Sequence, residues 1–316
     1  MTGTVAARRL LLVHAHPDDE TIGTGATMAR YAAAGAHVCL VTCTLGEQGE
    51  ILVPALSQLA ADQADQLGGW RIHELLRALA ELGVTDQRFL GGAGRFRDSG
   101  MMGDPANSHP RAFWRADAEP AVFDTAVGAL VAIVRELRPQ VVVTYDDHGG
   151  YGHPDHIMAH RVCTAAVKAA AEPGYPAAGR PWRVDKLYWT GTPRSVAVAG
   201  QRAMADAGSA MPFQLVHDIF ELPYLVADEL VTTAISAPGF GEAKARALAA
   251  HATQLTVRGQ YFALSNNIGQ QVLDTEYFRL VSGIAGGERD SQGRENDLFG
   301  GLRLDDSTSG DSEPGG

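Results

Sequence analysis

Residues 9–20 read Arg9-Leu10-Leu11-Leu12-Val13-His14-Ala15-His16-Pro17-Asp18-Asp19-Glu20. An unbroken apolar run of this length, stopped by a charged turn, suits a strand buried on both faces, as in a parallel sheet. Residues 23–34 follow, rich in alanine, with Met28 and Tyr31 three apart and Gly35 at the end. That pattern predicts a helix closed by a glycine. Residues 37–44 supply a second strand. Strand, helix and strand with short joins make a βαβ unit, and such units build parallel sheets covered by helices on both faces. The alternation continues through a helix over 58–82, interrupted at Gly68-Gly69, and a strand at 88–90. A loop over 91–119, a helix over 122–137, a strand over 141–145 and a helix over 155–171 come next. Strands at 186–190 and 232–236 and a helix over 242–251 complete it. The predicted class is α/β: a Rossmann-like, mostly parallel sheet flanked by helices, with a smaller C-terminal β-containing part. The predicted division is a metal-binding catalytic core over 1–180, a part completing the substrate pocket over 181–285, and a disordered acidic tail over 286–316. That tail carries eight acids against three arginines, a composition that buries too little surface to offset ordering entropy.

Composition narrows the function. The chain has 316 residues, 45% hydrophobic and 20% charged, enough for a packed core. Its net charge of −11 argues against nucleic acid as a partner, which needs a basic face. No run approaches a membrane span, and the first apolar run ends at Asp18 rather than at a small-residue cleavage site, so no secretory signal is expected. Three cysteines (Cys39, Cys43 and Cys163) without a CxxC fit a reducing cytoplasm. Cys39 and Cys43 lie four apart on a strand and read as small core residues. Gly23-Thr24-Gly25 lacks the third glycine of a dinucleotide fingerprint, where Met28 stands.

Two strand ends carry clusters of hard ligands: His16-Pro17-Asp18-Asp19-Glu20, and Tyr151-Gly152-His153-Pro154-Asp155-His156. In an open α/β sheet ligands bind beyond the carboxyl ends of the strands, so the two clusters can share one crevice. His16 and Asp19, three apart across a turn, can address one ion while Asp18 points elsewhere. His156, at a helix start, can supply a third bond. Two histidines and one carboxylate leave an open, catalytic position. Asp18 is then free to act as general base. His153, charged or bonded to Asp155, can protonate a leaving group or steady an oxyanion, with the Tyr151 phenol beside it. Plainer readings compete: Asp18-Asp19 as a turn or N-cap, His160 as a rival ligand one turn after His156, and His14 as a packed residue on the parity of His16.

The pair of clusters resembles those of the zinc-dependent de-N-acetylases of the LmbE-like or PIG-L superfamily. The resemblance extends through Thr42-Cys43-Thr44-Leu45-Gly46-Glu47-Gln48-Gly49-Glu50, Arg71-Ile72-His73-Glu74-Leu75, Arg97-Asp98-Ser99-Gly100-Met101 and Ala263-Leu264-Ser265-Asn266-Asn267-Ile268, covering residues 8–285. It implies a hydrolase that removes the N-acetyl group of N-acetylglucosaminyl-inositol in mycothiol biosynthesis. It implies one divalent ion per chain, zinc with ferrous iron as the alternative, held by His16, Asp19 and His156. Asp18 would be the base, His153 and Tyr151 would stabilise the oxyanion, and Asp155 would tune His153. Arg71 and Asp98 would hold sugar hydroxyls, with Glu47, Met101 and Asn266 or Asn267 as further pocket residues. Arg71 alternatively pairs with Glu74, three residues on. The implied partner is a small amino sugar, and a homo-oligomer is compatible with the reading.

The rival within the family is the mycothiol S-conjugate amidase, which carries a lysine shortly after its Asp-Asp-Glu. Thr21-Ile22-Gly23-Thr24-Gly25 has none. A membrane-anchored phosphatidylinositol-sugar deacetylase is disfavoured by the missing span. Two histidines and a carboxylate also form the facial triad of non-haem iron oxygenases, but in its usual jelly roll that site needs an all-β chain, and this one alternates strands with alanine-rich helices. A non-catalytic metal- or sugar-binding module leaves Asp18 unexplained.

Overall fold

The computed structural model describes residues 8–208, 212–216, 218–219 and 222–303. Its centre is a seven-stranded sheet in the order β3-β2-β1-β4-β5-β12-β8. The first five strands in this order are mutually parallel: β3 Asp86–Phe89, β2 His37–Thr42, β1 Arg9–His14, β4 Val141–Thr144 and β5 Lys186–Thr190. β12 (Thr275–Ser282) runs antiparallel between β5 and β8 (Thr233–Ser236).

The run that opens the chain behaves as its composition dictates. Leu11 and Val13 face one layer with Val41 and Val142, packed against α3 (Pro120–Leu137) and α5 (Pro154–Ala170). Leu10 and Leu12 face the other, packed with α1 (Asp19–Ala33), α2 (Leu67–Leu82) and α7 (Gly241–Ala250). Alternate residues therefore serve opposite layers, as a pleated strand requires. Cys39 and Cys43 share the first cluster.

Several elements went unforeseen. α6 (Arg194–Ala207), the paired β6 (Thr192–Pro193) and β7 (Leu225–Val226), and a small antiparallel sheet of β9 (Thr256–Arg258), β10 (Tyr261–Ala263) and β11 (Gln270–Gln271) all lie in the C-terminal half. The parts predicted as 1–180 and 181–285 share one sheet, since β5, β12 and β8 extend it. Gly68 and Gly69 do not interrupt α2 but lie in its first turn. α4 (Gly149–Gly152) is a single turn broken at Gly150. No described helix is long and apolar enough to cross a membrane.

The expectation of disorder from residue 286 does not hold for residues 286–303; residues 304–316, with Asp305, Asp306, Asp311 and Glu313, lie outside the described residues. Leu298 and Phe299 are buried in the core, and Glu295 is fully buried. The reason lies on β5. Lys186 Nζ is also fully buried and donates to Glu295 Oε1 at 2.7 Å and to Gly300 O at 2.7 Å. Glu295 accepts further bonds from Gly286 N (2.7 Å), Tyr188 Oη (3.1 Å) and Thr233 Oγ1 (3.1 Å). A lysine on a buried strand demands such an acid. Glu295→Ala should therefore lower stability by about 3–5 kcal/mol in urea unfolding, because it leaves an ammonium buried without its partner. A loss below about 1 kcal/mol, the range of surface pairs, would show that the segment contributes little.

Candidate metal centre and active site

Strand order places the site. The chain moves from β1 outward to β2 and β3, then returns to add β4 on the other side of β1, so the carboxyl ends of β1 and β4 flank the switch point. His16 to Glu20 follow β1. Tyr145 follows β4, and the chain then passes through α4 into α5. Gly149 makes this passage possible. It has φ 67, and a Cβ there would lie 2.7 Å from both His156 Cβ and Ile157 N.

Three donors converge. His16 Nδ1 lies 3.4 Å from Asp19 Oδ2 and 3.3 Å from His156 Nε2, and His156 Nε2 lies 3.4 Å from Asp19 Oδ2. A tetrahedral ion with bonds of about 2.0–2.1 Å has ligand–ligand edges of about 3.3–3.4 Å. The three atoms thus fit one face of a tetrahedron and leave its fourth corner open. His16, His153 and His156 also form one possible metal-holding group, and His16, Asp98 and Asp155 another, all of them buried. His160 does not join the cluster. Its Nδ1 lies 3.1 Å from Tyr145 O and its ring meets Trp189 edge-on.

The supporting contacts differ from the sequence reading. Asp155 accepts from His16 Nε2 (3.2 Å), from Ser99 N (2.9 Å) and from Ser99 Oγ. Its carboxylate thus orients His16 and is not bonded to His153. The His153 imidazole accepts instead from the Asp155 backbone, whose N–H donates to Nδ1 at 3.1 Å as the N-cap bond of α5, and its ring lies edge-on to His16 with centroids 4.6 Å apart. With Nδ1 accepting, a neutral His153 carries its proton on Nε2. Burial, then His16 and His156, hold this imidazole down to about 2. Tyr145 was not foreseen in the site. Its ring stacks on His156 (centroids 4.3 Å apart), and its hydroxyl accepts from Ala15 N at 2.8 Å. His14 is a packed residue, with its Nε2 3.1 Å from Thr24 Oγ1; burial pushes it down to about 4. Tyr151, 40% exposed, lies edge-on to His156 at 4.9 Å, at the rim.

Asp18 stands at the N-cap of α1 but makes no side-chain cap bond, so the plain turn reading fails for its carboxylate. Its backbone has φ 125 and ψ −34. Such a conformation costs of order 1–3 kcal/mol in an L-residue and persists only where its surroundings impose it. Arg71 Nη2 lies 3.1 Å from Asp18 Oδ2 and also donates to Pro17 O, while Nη1 donates to Gly46 O at 2.7 Å. The guanidinium is buried and turned toward the site. Its alternative partner Glu74 bonds Thr253 N (2.9 Å) and Thr253 Oγ1 instead. Burial pushes the Asp18 carboxyl up to about 6 against the pull of Arg71. Burial also works to raise Asp19, but His156 and His16 outweigh it and hold Asp19 well below the usual carboxylate range.

Asp98 is buried beside His16, with Oδ1 3.7 Å from His16 Nε2 and accepting from Gly100 N, and Oδ2 accepting from Gln48 N. Glu47 accepts from Asp98 N at 3.0 Å and so braces this loop. Met101 is exposed on the following turn. Asn266 and Asn267 are exposed; Asn266 Oδ1 accepts from Ile268 N, and the Asn267 backbone bonds Leu264 and Gln214. Among the described residues, no hydrogen bond or ion pair ties either asparagine to the cluster. Ser99 lies within Arg97-Asp98-Ser99-Gly100-Met101, but nothing local in the sequence marks it as the anchor of Asp155.

Fold and cluster together define an α/β protein with a candidate open cation site at the carboxyl end of its sheet. The PIG-L family model, described as GlcNAc-PI de-N-acetylase, matches residues 11–167. Curated relatives named 1D-myo-inositol 2-acetamido-2-deoxy-alpha-D-glucopyranoside deacetylase align over nearly the whole chain. The one from Geodermatophilus obscurus is 60% identical, covering 94% of this chain and 98% of its own. The one from Acidothermus cellulolyticus is 58% identical, covering 93% and 95%. The chain belongs to the PIG-L de-N-acetylase family. Among solved structures, 4-carboxy-2-hydroxymuconate hydratase GalB from Pseudomonas putida KT2440 aligns over 90% of this chain and 100% of its own, at 16% identity and TM-score 0.56. N,N'-diacetylchitobiose deacetylase from Pyrococcus horikoshii covers 78% and 70%, at 17% identity and TM-score 0.51. At these identities the likeness concerns the fold alone.

The Asp155–His16 contact yields a test. Asp155→Asn should weaken zinc binding by roughly 10–100-fold, the usual effect of losing a histidine's outer partner, while thermal unfolding stays cooperative. Unchanged affinity in a competition titration with a chromophoric chelator would mean that Asp155 does not orient His16.

Proposed function

We propose that this protein is a zinc-dependent hydrolase that removes the N-acetyl group of N-acetylglucosaminyl-inositol, the deacetylation step of mycothiol biosynthesis. The observation that carries the reading is the three-donor face of His16, Asp19 and His156 beside a carboxylate, Asp18, that caps nothing. The names of the close relatives support the substrate. Ferrous iron suits the same donors, and zinc is the ion proposed. When bound, the ion supplies Lewis acidity and a water of lowered pKa.

The chain's own residues do the rest. Asp18 accepts a proton from the attacking water as its oxygen bonds the acetamide carbon. The carbonyl oxygen gains negative charge, and the His153 Nε2–H and the Tyr151 hydroxyl donate to it. The C–N bond then breaks, the proton held by Asp18 passes to the leaving nitrogen, and acetate and the free amine result. In this account His153 is an oxyanion donor and not the acid, because Nδ1 is occupied by the Asp155 N–H. Asp98 and Met101 line the sugar side. Arg71 serves Asp18 first and reaches a substrate hydroxyl only with the NH capacity left to it. Glu47 acts by bracing Asp98, and no pocket role is proposed for Asn266 or Asn267.

Adjacent carboxylates separate base from ligand. Asp18→Asn should retain the metal and lose about 10²–10⁴-fold or more in turnover, since an amide cannot take the proton. Asp19→Asn should lose metal, because a neutral oxygen replaces an anionic donor. Metal analysis and acetate release on the same preparations decide this. Near-normal turnover of Asp18→Asn at full metal loading contradicts the mechanism.

A further inference from the structure

The strained backbone at Asp18 is held from several directions. Asp18 O accepts from Thr21 N and Ile22 N, both at 3.0 Å. Asp18 N donates to Glu20 Oε2 at 2.8 Å. Glu20 is fully buried, and its other oxygen receives Thr21 Oγ1 and faces His251 Nε2 at 2.9 Å. His251 is also fully buried and caps the end of α7, far along the chain from the Asp-Asp-Glu turn. A buried carboxylate stays in place only while its lone pairs are satisfied. Each oxygen of Glu20 therefore depends on the other's partners, and the acceptor that fixes the Asp18 N–H is itself fixed by His251.

We propose that His251 is a positioning residue for Asp18: through Glu20 it holds the Asp18 backbone in its strained conformation and so aims the base into the crevice. The proposal rests on the reading of Asp18 as general base. His251 is not needed merely to dock α7. Lys244 on α7 already meets Glu276 at 2.7 Å, Glu276 accepts from Ala26 N and Thr27 N of α1, and Ala247 and Ala250 pack in the core. Without His251, Glu20 can turn to other partners, and the Asp18 backbone is released toward an ordinary conformation with its carboxylate misaimed.

The test uses the full chain loaded with zinc, N-acetylglucosaminyl-inositol as substrate, and four variants: His251→Ala, His251→Gln, Glu20→Gln and Asp18→Asn. Readouts are kcat, KM, metal content, and deuterium uptake by the peptide spanning residues 16–22. His251→Ala should lower kcat by roughly 10–100-fold, the scale of a small misplacement of a reacting group. KM and metal content should hold, and exchange in the 16–22 peptide should quicken. His251→Gln, which keeps a donor toward Glu20, should recover most of that loss. Glu20→Gln should lose kcat as His251→Ala does, since an amide cannot accept all three donors that converge on the carboxylate. A folded His251→Ala with wild-type kcat and slow exchange overturns the proposal, as does a kcat loss that only tracks metal loss. If His251→Ala does not fold, the other pair decides: Glu20→Gln must lose kcat at full metal load while His251→Gln keeps it, and any other result overturns the proposal. Asp18→Asn separates the two claims. If it keeps turnover, the base assignment fails; if it alone loses turnover, the base stands and the role of His251 falls.

Discussion

The pairing of β1 with β4 is the contact on which everything functional depends. Leu10, Leu11 and Leu12 lie in register with Val141, Val142 and Val143, and all six side chains are sealed from water. Neither strand can slip, because a one-residue shift would exchange the two faces of a strand that is apolar on both and packed differently on each. The fixed register sets where each strand stops. His16, Asp19 and His156 then arrive within a single cation's reach although 140 residues separate the histidines.

Around that junction the protein concentrates polar groups that would be costly alone. Asp18, Asp98, Asp155, Glu20 and Glu47 are all buried. Each is answered by backbone N–H groups, a histidine or Arg71. The loop after β3 supplies Asp98 and Ser99, α2 supplies Arg71, and the end of α7 supplies His251. The cluster is therefore assembled from segments of most of the chain, which is how side chains come to be held within the tolerance that positioning demands.

The layered architecture and the two ligand clusters were legible because they are written in local pattern. The middle of β1, residues 10–13, is an apolar run, the sequence places β5 at its observed bounds, and hard ligands follow β1 at once and β4 after the short turn of α4. The supporting contacts were not legible because they are long-range. Nothing in Lys186 named Glu295 as its partner, although a lysine on a buried strand already required an acid, and Leu298 with Phe299 offered apolar anchors inside an acidic stretch. The proximity of Asp155 to His153 in sequence suggested a pair. The helix start instead turned the Asp155 N–H toward His153 and its carboxylate toward His16. The sequence places Tyr145 at the end of a strand, and its stacking on His156 together with the bond its hydroxyl accepts from Ala15 N shows why a tyrosine stands there. The resemblance to a hydratase of the same fold shows that architecture alone does not decide the reaction, which must rest on the side chains at the switch point.

One measurement bears most directly on the account: acetate release from N-acetylglucosaminyl-inositol by anaerobically purified protein, with metal content determined on the same sample. The account predicts close to one divalent ion per chain, with acetate and free amine formed in equal amounts and both abolished by chelation and restored by zinc. Protein that holds one ion per chain and releases no acetate from this substrate, or that releases acetate equally well after complete removal of the ion, would contradict it.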